Sequence, residues 1–430
     1  MQTAYRPIRI ALLGAGSVGS QVARLLLENK EELAKRVGTE LQLTGIAVRD
    51  VNAKRDADLP KELFTEDAES LIIGSDIVIE LIGGIEPAKG WITLALNSGA
   101  DVVTANKALI AAHGSELLGL AHQLGAQLYY EAAVGGAIPI IRPLRESLAG
   151  DRINRVMGIV NGTTNYILDQ MESTGADFQD ALSEAQQLGY AEADPTADVE
   201  AFDAASKAAI LASLAFHSEV PVEEVFREGI TSVSSMQIET ARQAGYSVKL
   251  LAICERVQDS LVVRVHPTLI PLSHPLAAVR GAYNAVFVEA ESAGQLMFYG
   301  AGAGGPETAS AVLGDLVSAA KRHLAGGPGL SDSTHANLPV ASIQEVRTRF
   351  QITLAVQDQP GVLASIANEF ASHGVSVETV AQSAGSDSAA ALLTIMTHSA
   401  LEGDLEKLAQ SLEKNDFVVQ VDSVIRVEGI

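Results

Sequence analysis

The sequence predicts an α/β protein of more than one domain, and three observations predict it. An apolar run from Ile8 to Leu13 leads into glycines at 14, 16 and 19 and then into a helical pattern. Through the first third, short apolar runs alternate with helical stretches, the order of a doubly wound sheet. After a Gly-, Pro- and Ser-rich stretch at 325–342, residues 349–430 follow a βαββαβ order. A chain of 430 residues is also too long for one ordinary core.

The first element is the strand Ile8–Leu13, followed by G-x-G-x-x-G spacing and a helix carrying Val22, Leu25 and Leu26. In this context Gly14 permits a tight turn, Gly16 lets backbone approach a pyrophosphate, and Gly19 lets helix and strand pack closely. The helix N-terminus then faces the anion, so Gly14, Gly16, Ser17, Val18 and Gly19 are candidate cofactor contacts. The second strand, LQLTGIAVRD, ends near Val48 with Arg49 at its tip and Lys54 and Arg55 soon after. Bases there favour the 2′-phosphate of NADP, whereas Asp50 leaves NAD open. Strands follow at SDIVIELIGG and DVVTANKALI, whose ends place Gly83, Gly84, Thr104, Asn106 and Lys107 at the ligand crevice.

Composition narrows the function classes. A net charge of −23 disfavours nucleic acid and anionic membranes as partners. The one cysteine, Cys254, excludes an internal disulfide framework; in KLLAICERV it reads as a buried thiol. No apolar stretch is long enough to span a bilayer and no cleavable signal is evident, so a cytoplasmic location is expected.

The middle of the chain carries the chemistry. LYYEAAVGGAIPIIRPL, residues 128–144, reads as a crossover into a second domain. Asn161, Gly162, Thr163 and Thr164 form a polar turn opening a helix, able either to hold a small carboxylate or simply to cap that helix. A polar loop with Glu192, Asp194 and Asp198 leads into DVEAFDAASKAAILASLAF, residues 198–216. As a helix this run has Asp203 and Lys207 on one face and no evident side for water. A buried ammonium is costly unless paired.

These residues together carry a resemblance. AQQLGYAEADPTADVEAFDAASK, residues 185–207, resembles the signature of homoserine dehydrogenases, and GAGSVG, VVTANKA, EAAVGGAIPII and NGTTNYIL fall in the order that family shows. The match spans roughly residues 8–325; one departure is Ala201, where the family usually has glycine, so the start of the helix is expected to differ slightly. The resemblance implies reversible reduction of L-aspartate 4-semialdehyde to L-homoserine, with Lys207 as catalytic lysine, Asp203 beside it and Lys107 as a second active-site lysine. It implies substrate contacts at Gly162, Thr163, Gly189, Tyr190, Glu192, Asp198 and Asp203. It also implies a monovalent cation, Na or K, held by carbonyls of Glu131, Val134, Gly136 and Ile138, and a glycine-rich turn with Gly304 that closes over the nicotinamide.

The implied architecture is a Rossmann-type NADP-binding domain at 1–137, with helix 306–325 packing back on it. An α/β catalytic and dimerisation domain at 138–305 and a linker at 326–348 follow. DQPGVL, starting at Asp358, resembles the opening of an ACT domain, a ferredoxin-like amino-acid-binding module, here at 349–430. L-Threonine is then the expected feedback effector and a homodimer or homotetramer the expected assembly, although the module can also serve assembly alone. Two rivals are weighed against this. An aldehyde dehydrogenase acting through a thioester needs a reactive cysteine, for which Cys254 is poorly placed. A non-catalytic nucleotide and amino-acid sensor leaves Asp203 and Lys207 unexplained.

Overall fold

The computed structural model describes residues 6–55, 57–326, 332–384 and 390–429. The expected linker 326–348 therefore falls partly outside the described residues. The chain divides into two units, each assembled from separate segments. One comprises 1–162, 203–225 and 282–338; the other comprises 163–202, 226–281 and 339–430.

In the first unit, β1 (Ile8–Leu13), β2 (Leu41–Ala47), β3 (Phe64–Thr65), β4 (Ile77–Glu80), β5 (Asp101–Thr104) and β6 (Leu128–Tyr129) form one sheet in the order 3-2-1-4-5-6. Every pair is parallel. Such a sheet is covered on both faces, which is why its strands read as continuous apolar runs such as IALL and IVI. Ile10, Leu12, Ile77 and Ile79 share a core with Val22 and Leu26 of the helix Ser17–Glu28. They also share it with Ala309, Val312 and Leu316 of the helix Gly305–Ala325, which packs on Ser17–Glu28. The strand order reverses between β1 and β4, and a crevice opens at their carboxyl ends. The same unit holds the antiparallel strands Ile153–Ile159, Tyr283–Ala290 and Gly294–Ala301, and all of the helix Phe202–Phe216 from Asp203 onward.

The second unit pairs two twelve-residue strands, Tyr246–Val257 and Ser260–Pro271, antiparallel. Its C-terminal part runs Arg347–Gln357, helix Val362–Ser372, Val377–Ala384, Ala390–Thr397, helix Glu402–Leu412 and Val418–Val427. The first of these strands lies between the last and the third, with the second at the edge. Ile352, Leu354, Leu393 and Ile395 pack beneath Ile366, Phe370, Leu405 and Leu408 of the two helices. This is the expected ferredoxin-like arrangement. Among the described residues no helix is long and apolar enough to cross a membrane.

Candidate active site

The turn after β1 uses its glycines for different reasons. Gly14 has φ +95°, and a Cβ there would come 2.8 Å from the Leu81 carbonyl oxygen; a Cβ on Gly19 would overlap the Gly14 carbonyl. A Cβ on Gly16 would meet nothing within 4 Å. Two glycines are demanded by packing, and the third leaves room for a ligand. Gly16 and Ser17 are exposed, and no side chain caps the N-terminus of the helix that follows, so its N–H groups face that room. The residues present fit a bound dinucleotide.

Past β2, Asp50 turns its carboxylate to the backbone N–H of Asn52 at 2.8 Å. The Arg55 guanidinium donates to the carbonyls of Asp50 and Ala53 at 2.7 and 2.6 Å and lies over the Phe64 ring. Arg49 and Lys54 are exposed and enter no ion pair among the described residues.

The crevice walls are fixed by a residue the sequence reading missed. Glu80, fully buried at the end of β4, accepts from Thr104 Oγ1 at 2.6 Å and from the N–H groups of Ile82 and Gly83 at 2.7 and 3.3 Å. Thr104 Oγ1 accepts in turn from Asn106 N–H at 3.0 Å, while Asn106 Nδ2 donates to the Gly84 carbonyl at 2.6 Å. Thr104, expected among the cofactor contacts, is fully buried and occupied in this network, so its side chain does not reach the cleft. The only sequence signal for Glu80 is an acid closing the run IVI. The cleft itself, of about 380 Å³, is lined by Val18, Gly83, Gly84, Asn106, Lys107, Gly136, Lys207, Gly302 and Thr308. Gly304, φ +135°, precedes the helix Gly305–Ala325 at its rim.

Lys207, Asp203 and Lys107 converge as expected. Lys207 Nζ donates to Asp203 Oδ2 at 2.7 Å and to the Val160 carbonyl at 2.7 Å. Lys107, half-exposed at the start of its helix, pairs with Asp203 Oδ1, and Asn161 Nδ2 donates to Asp203 Oδ2 at 2.9 Å. Burial alone would raise the Asp203 pKa, but the two ammonium groups beside it hold the carboxyl well below the usual carboxylate range. The helix from Asp203 to Phe216 is buried at nearly every position. Ala201, just before it, has φ +63° and no exposure. This left-handed elbow is a conformation that glycine adopts freely and that alanine adopts only under strain.

The segment 131–138 walls the cleft through Ala132, Ala133, Gly135 and Gly136. Glu131 spends its carboxylate on the N–H groups of Ile140, Ile141 and Arg142 at 2.6, 2.8 and 2.9 Å. Among the described residues its carbonyl accepts only from Val134 N–H, at 3.5 Å. Val134, Gly136 and Ile138 are buried, and no hydrogen bond among the described residues reaches their carbonyls. Unmatched buried carbonyls are expensive, so this donor set fits a hard monovalent cation. Below it, burial pushes the Asp315 carboxyl up to about 7, against the pull of Arg142.

In the second unit, Thr163 Oγ1 donates to the Tyr190 carbonyl at 2.6 Å and the Tyr190 ring packs on Tyr166. Gly189 has φ +79°. Glu192 is exposed and Asp198 half-buried. Cys254 is fully buried and its thiol is pushed up to about 12 by burial, which disposes of it as a nucleophile.

Comparisons with known proteins agree across the chain. Residues 14–131 match the model of the homoserine dehydrogenase NAD-binding domain, 139–317 that of homoserine dehydrogenase and 350–417 that of the ACT domain. A homoserine dehydrogenase of Corynebacterium glutamicum is 54% identical, covering 98% of this chain and 96% of its own. The crystal structure of a homoserine dehydrogenase from Thiobacillus denitrificans superposes with a TM-score of 0.91 at 37% identity, covering 99% of both chains. A hyperthermophilic archaeal homoserine dehydrogenase in complex with NADPH superposes with a TM-score of 0.62 at 29% identity, covering 75% of this chain and 99% of that one.

Proposed function

The chain belongs to the homoserine dehydrogenase family and interconverts L-aspartate 4-semialdehyde and L-homoserine; from that premise we propose that Lys207 is the group that exchanges a proton with the reacting oxygen. The observation that carries this is its geometry. An ammonium has three N–H bonds, and two of those on Lys207 are committed, to Asp203 and to the Val160 carbonyl. The third is left for the cleft that Lys207 lines. A nicotinamide dinucleotide, when bound, supplies the hydride that turns the aldehyde carbon into an alcohol carbon. In that direction Lys207 donates its free proton to the oxygen; in the oxidation it takes the proton back. Asp203, held anionic between two lysines, fixes the ammonium in place, and Lys107 adds positive charge where oxyanion character develops. Thr163, Gly189, Tyr190, Glu192 and Asp198, with Gly162 at the helix start, are the proposed anchors for the substrate's amino-acid end.

NADP is the proposed coenzyme, on the strength of Arg49 and Lys54 standing exposed with no ion pair among the described residues while Asp50 is turned back on its own loop. The archaeal relative solved with NADPH supports the same reading. A monovalent cation on the carbonyls of Glu131, Val134, Gly136 and Ile138 would brace the loop that walls the cleft. The proposed domains are 1–137, 138–305 and 349–430. The proposed assembly is a homo-oligomer, supported by the edge strand Gly294–Ala301, whose Met297 and Tyr299 are exposed beside Tyr283. The proposed effector is L-threonine, and the proposed location is the cytoplasm.

The test is initial-rate kinetics of the intact enzyme and of Lys207→Ala with NADPH and NADH. Losing one preorganised charge contact costs ~3–4 kcal/mol in the transition state. Lys207→Ala is therefore expected to lose about 10²–10³-fold in kcat with NADPH binding, read by fluorescence titration, unchanged. Retention of more than about a tenth of the wild-type kcat, ~1.4 kcal/mol, refutes the assignment.

A further inference from the structure

Asn284 lies on the strand Tyr283–Ala290 and is 1% exposed. Neither its Nδ2 nor its Oδ1 has a hydrogen-bond partner among the described residues. Buried amides are almost always satisfied, so an amide with both its donor and its acceptor idle calls for an explanation.

Its neighbours supply one. Tyr283, the preceding residue, is exposed and stacks on Tyr299, so the alternation of the strand turns Asn284 to the opposite face. There the amide lies against Gly302, where a Cβ would overlap it, and Gly302 is a wall of the catalytic cleft. A Cβ on Gly162, the first residue of the helix Gly162–Thr174, would come 3.4 Å from Asn284 Oδ1 and 2.6 Å from the Ala282 carbonyl. One residue before Gly162, Asn161 grips Asp203; one before that, the Val160 carbonyl accepts from Lys207. The amide thus sits where a cleft wall, a helix N-terminus and the backbone that holds the catalytic lysine meet, and glycine at 162 and 302 keeps that corner free of other side chains.

We propose that Asn284 is a substrate-positioning residue whose amide is completed by the amino-acid end of the substrate. That end carries a carboxylate, an acceptor, and an ammonium, a donor; an amide offers one group to each. The proposal rests on the reading of the Lys207 cleft as the reacting centre and extends it to the non-reacting end of the same molecule. Binding energy gained there orients the aldehyde carbon toward the lysine.

The test uses intact enzyme with Asn284→Leu, which keeps the volume without the amide, and Asn284→Ser, which replaces the amide with a smaller hydroxyl and frees space. Steady-state KM for L-homoserine and for NADP+, kcat, and Tm are measured for each. The expected result is a tenfold or greater rise in KM for L-homoserine in Asn284→Leu and a smaller rise in Asn284→Ser. KM for NADP+ should stay within twofold. Tm of the ligand-free enzyme should be unchanged or higher in Asn284→Leu, since an unmatched buried amide has been removed. A KM for homoserine within twofold of wild type in both variants overturns the proposal. So does a rise confined to NADP+, which would assign the amide to the coenzyme. If Asn284→Leu does not fold, Asn284→Ser alone decides on the same criteria. Lys207→Ala, run alongside, reports separately on the catalytic reading, so either can fail while the other stands.

Discussion

Two turns in this chain carry a strand into a helix through a glycine at almost the same backbone angle. Gly14 has φ +95° and Gly361 has φ +96°. At Gly14 the chain is pressed on by Leu81, and Gly19 is pressed on by Gly14 itself. At Gly361 nothing lies within 4 Å of where a Cβ would stand. The first turn needs glycine for packing and conformation together; the second needs it for conformation alone. Both helices start without a side-chain cap, leaving N–H groups for a ligand. The lesson is that close packing writes a ligand site into sequence as a fixed spacing, whereas an open turn leaves one residue and no spacing to read.

The largest expected effect is at the packed turn. Gly19→Ala puts a Cβ onto the Gly14 carbonyl, and the overlap can be relieved only by parting helix and strand. Overpacking of this kind typically costs ~1–3 kcal/mol in stability. It also displaces the N–H groups meant for the pyrophosphate. Expected are a fall in affinity for the dinucleotide by at least an order of magnitude, read by fluorescence titration, and a lowered Tm. Normal dinucleotide affinity in Gly19→Ala would show that the packing at this turn is not what shapes the ligand site.

This contrast also explains what the sequence revealed and what it hid. The G-x-G-x-x-G turn and the Asp203–Lys207 pair were legible because each breaks a local rule. Glycines crowd one turn, and charges sit inside an apolar helix. Glu80 and Asn284 break no local rule. One acid after IVI, or one asparagine in a strand, acquires meaning only when distant segments fold around it. The carbonyls of residues 131–138 leave no side-chain trace at all, and only the resemblance pointed to them. A strand-end position such as Thr104 does not show in sequence which way its hydroxyl goes, and here Glu80 claims it. The division into two units built from interleaved segments was invisible too, since contiguity is what a sequence displays.

The open turn should respond more mildly. Gly361→Ala meets no steric barrier but must hold an alanine at φ +96°, at ~1–2 kcal/mol. That strain is local to a cleft of about 380 Å³ lined by Gln357 to Leu363, Gln382 and Leu393. Turnover without effector should stay within twofold of wild type. The concentration of L-threonine giving half inhibition should rise about tenfold, equivalent to ~1.4 kcal/mol of lost binding. Unchanged threonine sensitivity would move the effector away from this turn, and a wild-type enzyme indifferent to millimolar threonine would remove threonine as the effector.

The smallest effect concerns a third turn, where the rule seen at Gly14 and Gly361 is violated. Ala201 occupies the left-handed region at φ +63°, buried, immediately before the helix that presents Asp203 and Lys207. An L-residue with a Cβ is held there at a cost of roughly 1–2 kcal/mol. The surroundings maintain it: Ala201 N–H donates to the Asp198 carbonyl at 3.0 Å, and Ile230 N–H donates to the Val199 carbonyl at 2.8 Å. Ala201→Gly removes the steric strain but adds backbone freedom to the unfolded chain, which offsets about 0.4–1 kcal/mol of the gain. The net expectation is a stabilisation of at most ~1 kcal/mol, seen as a small rise in Tm, with kcat and both KM values unchanged. Ala201→Val, whose β-branched side chain tolerates this region poorly, should lower Tm and loosen the helix start. If Ala201→Gly lowers Tm instead, the alanine methyl contributes more through packing than it loses through strain, and the elbow is a packed position like Gly14 rather than a conformational one like Gly361.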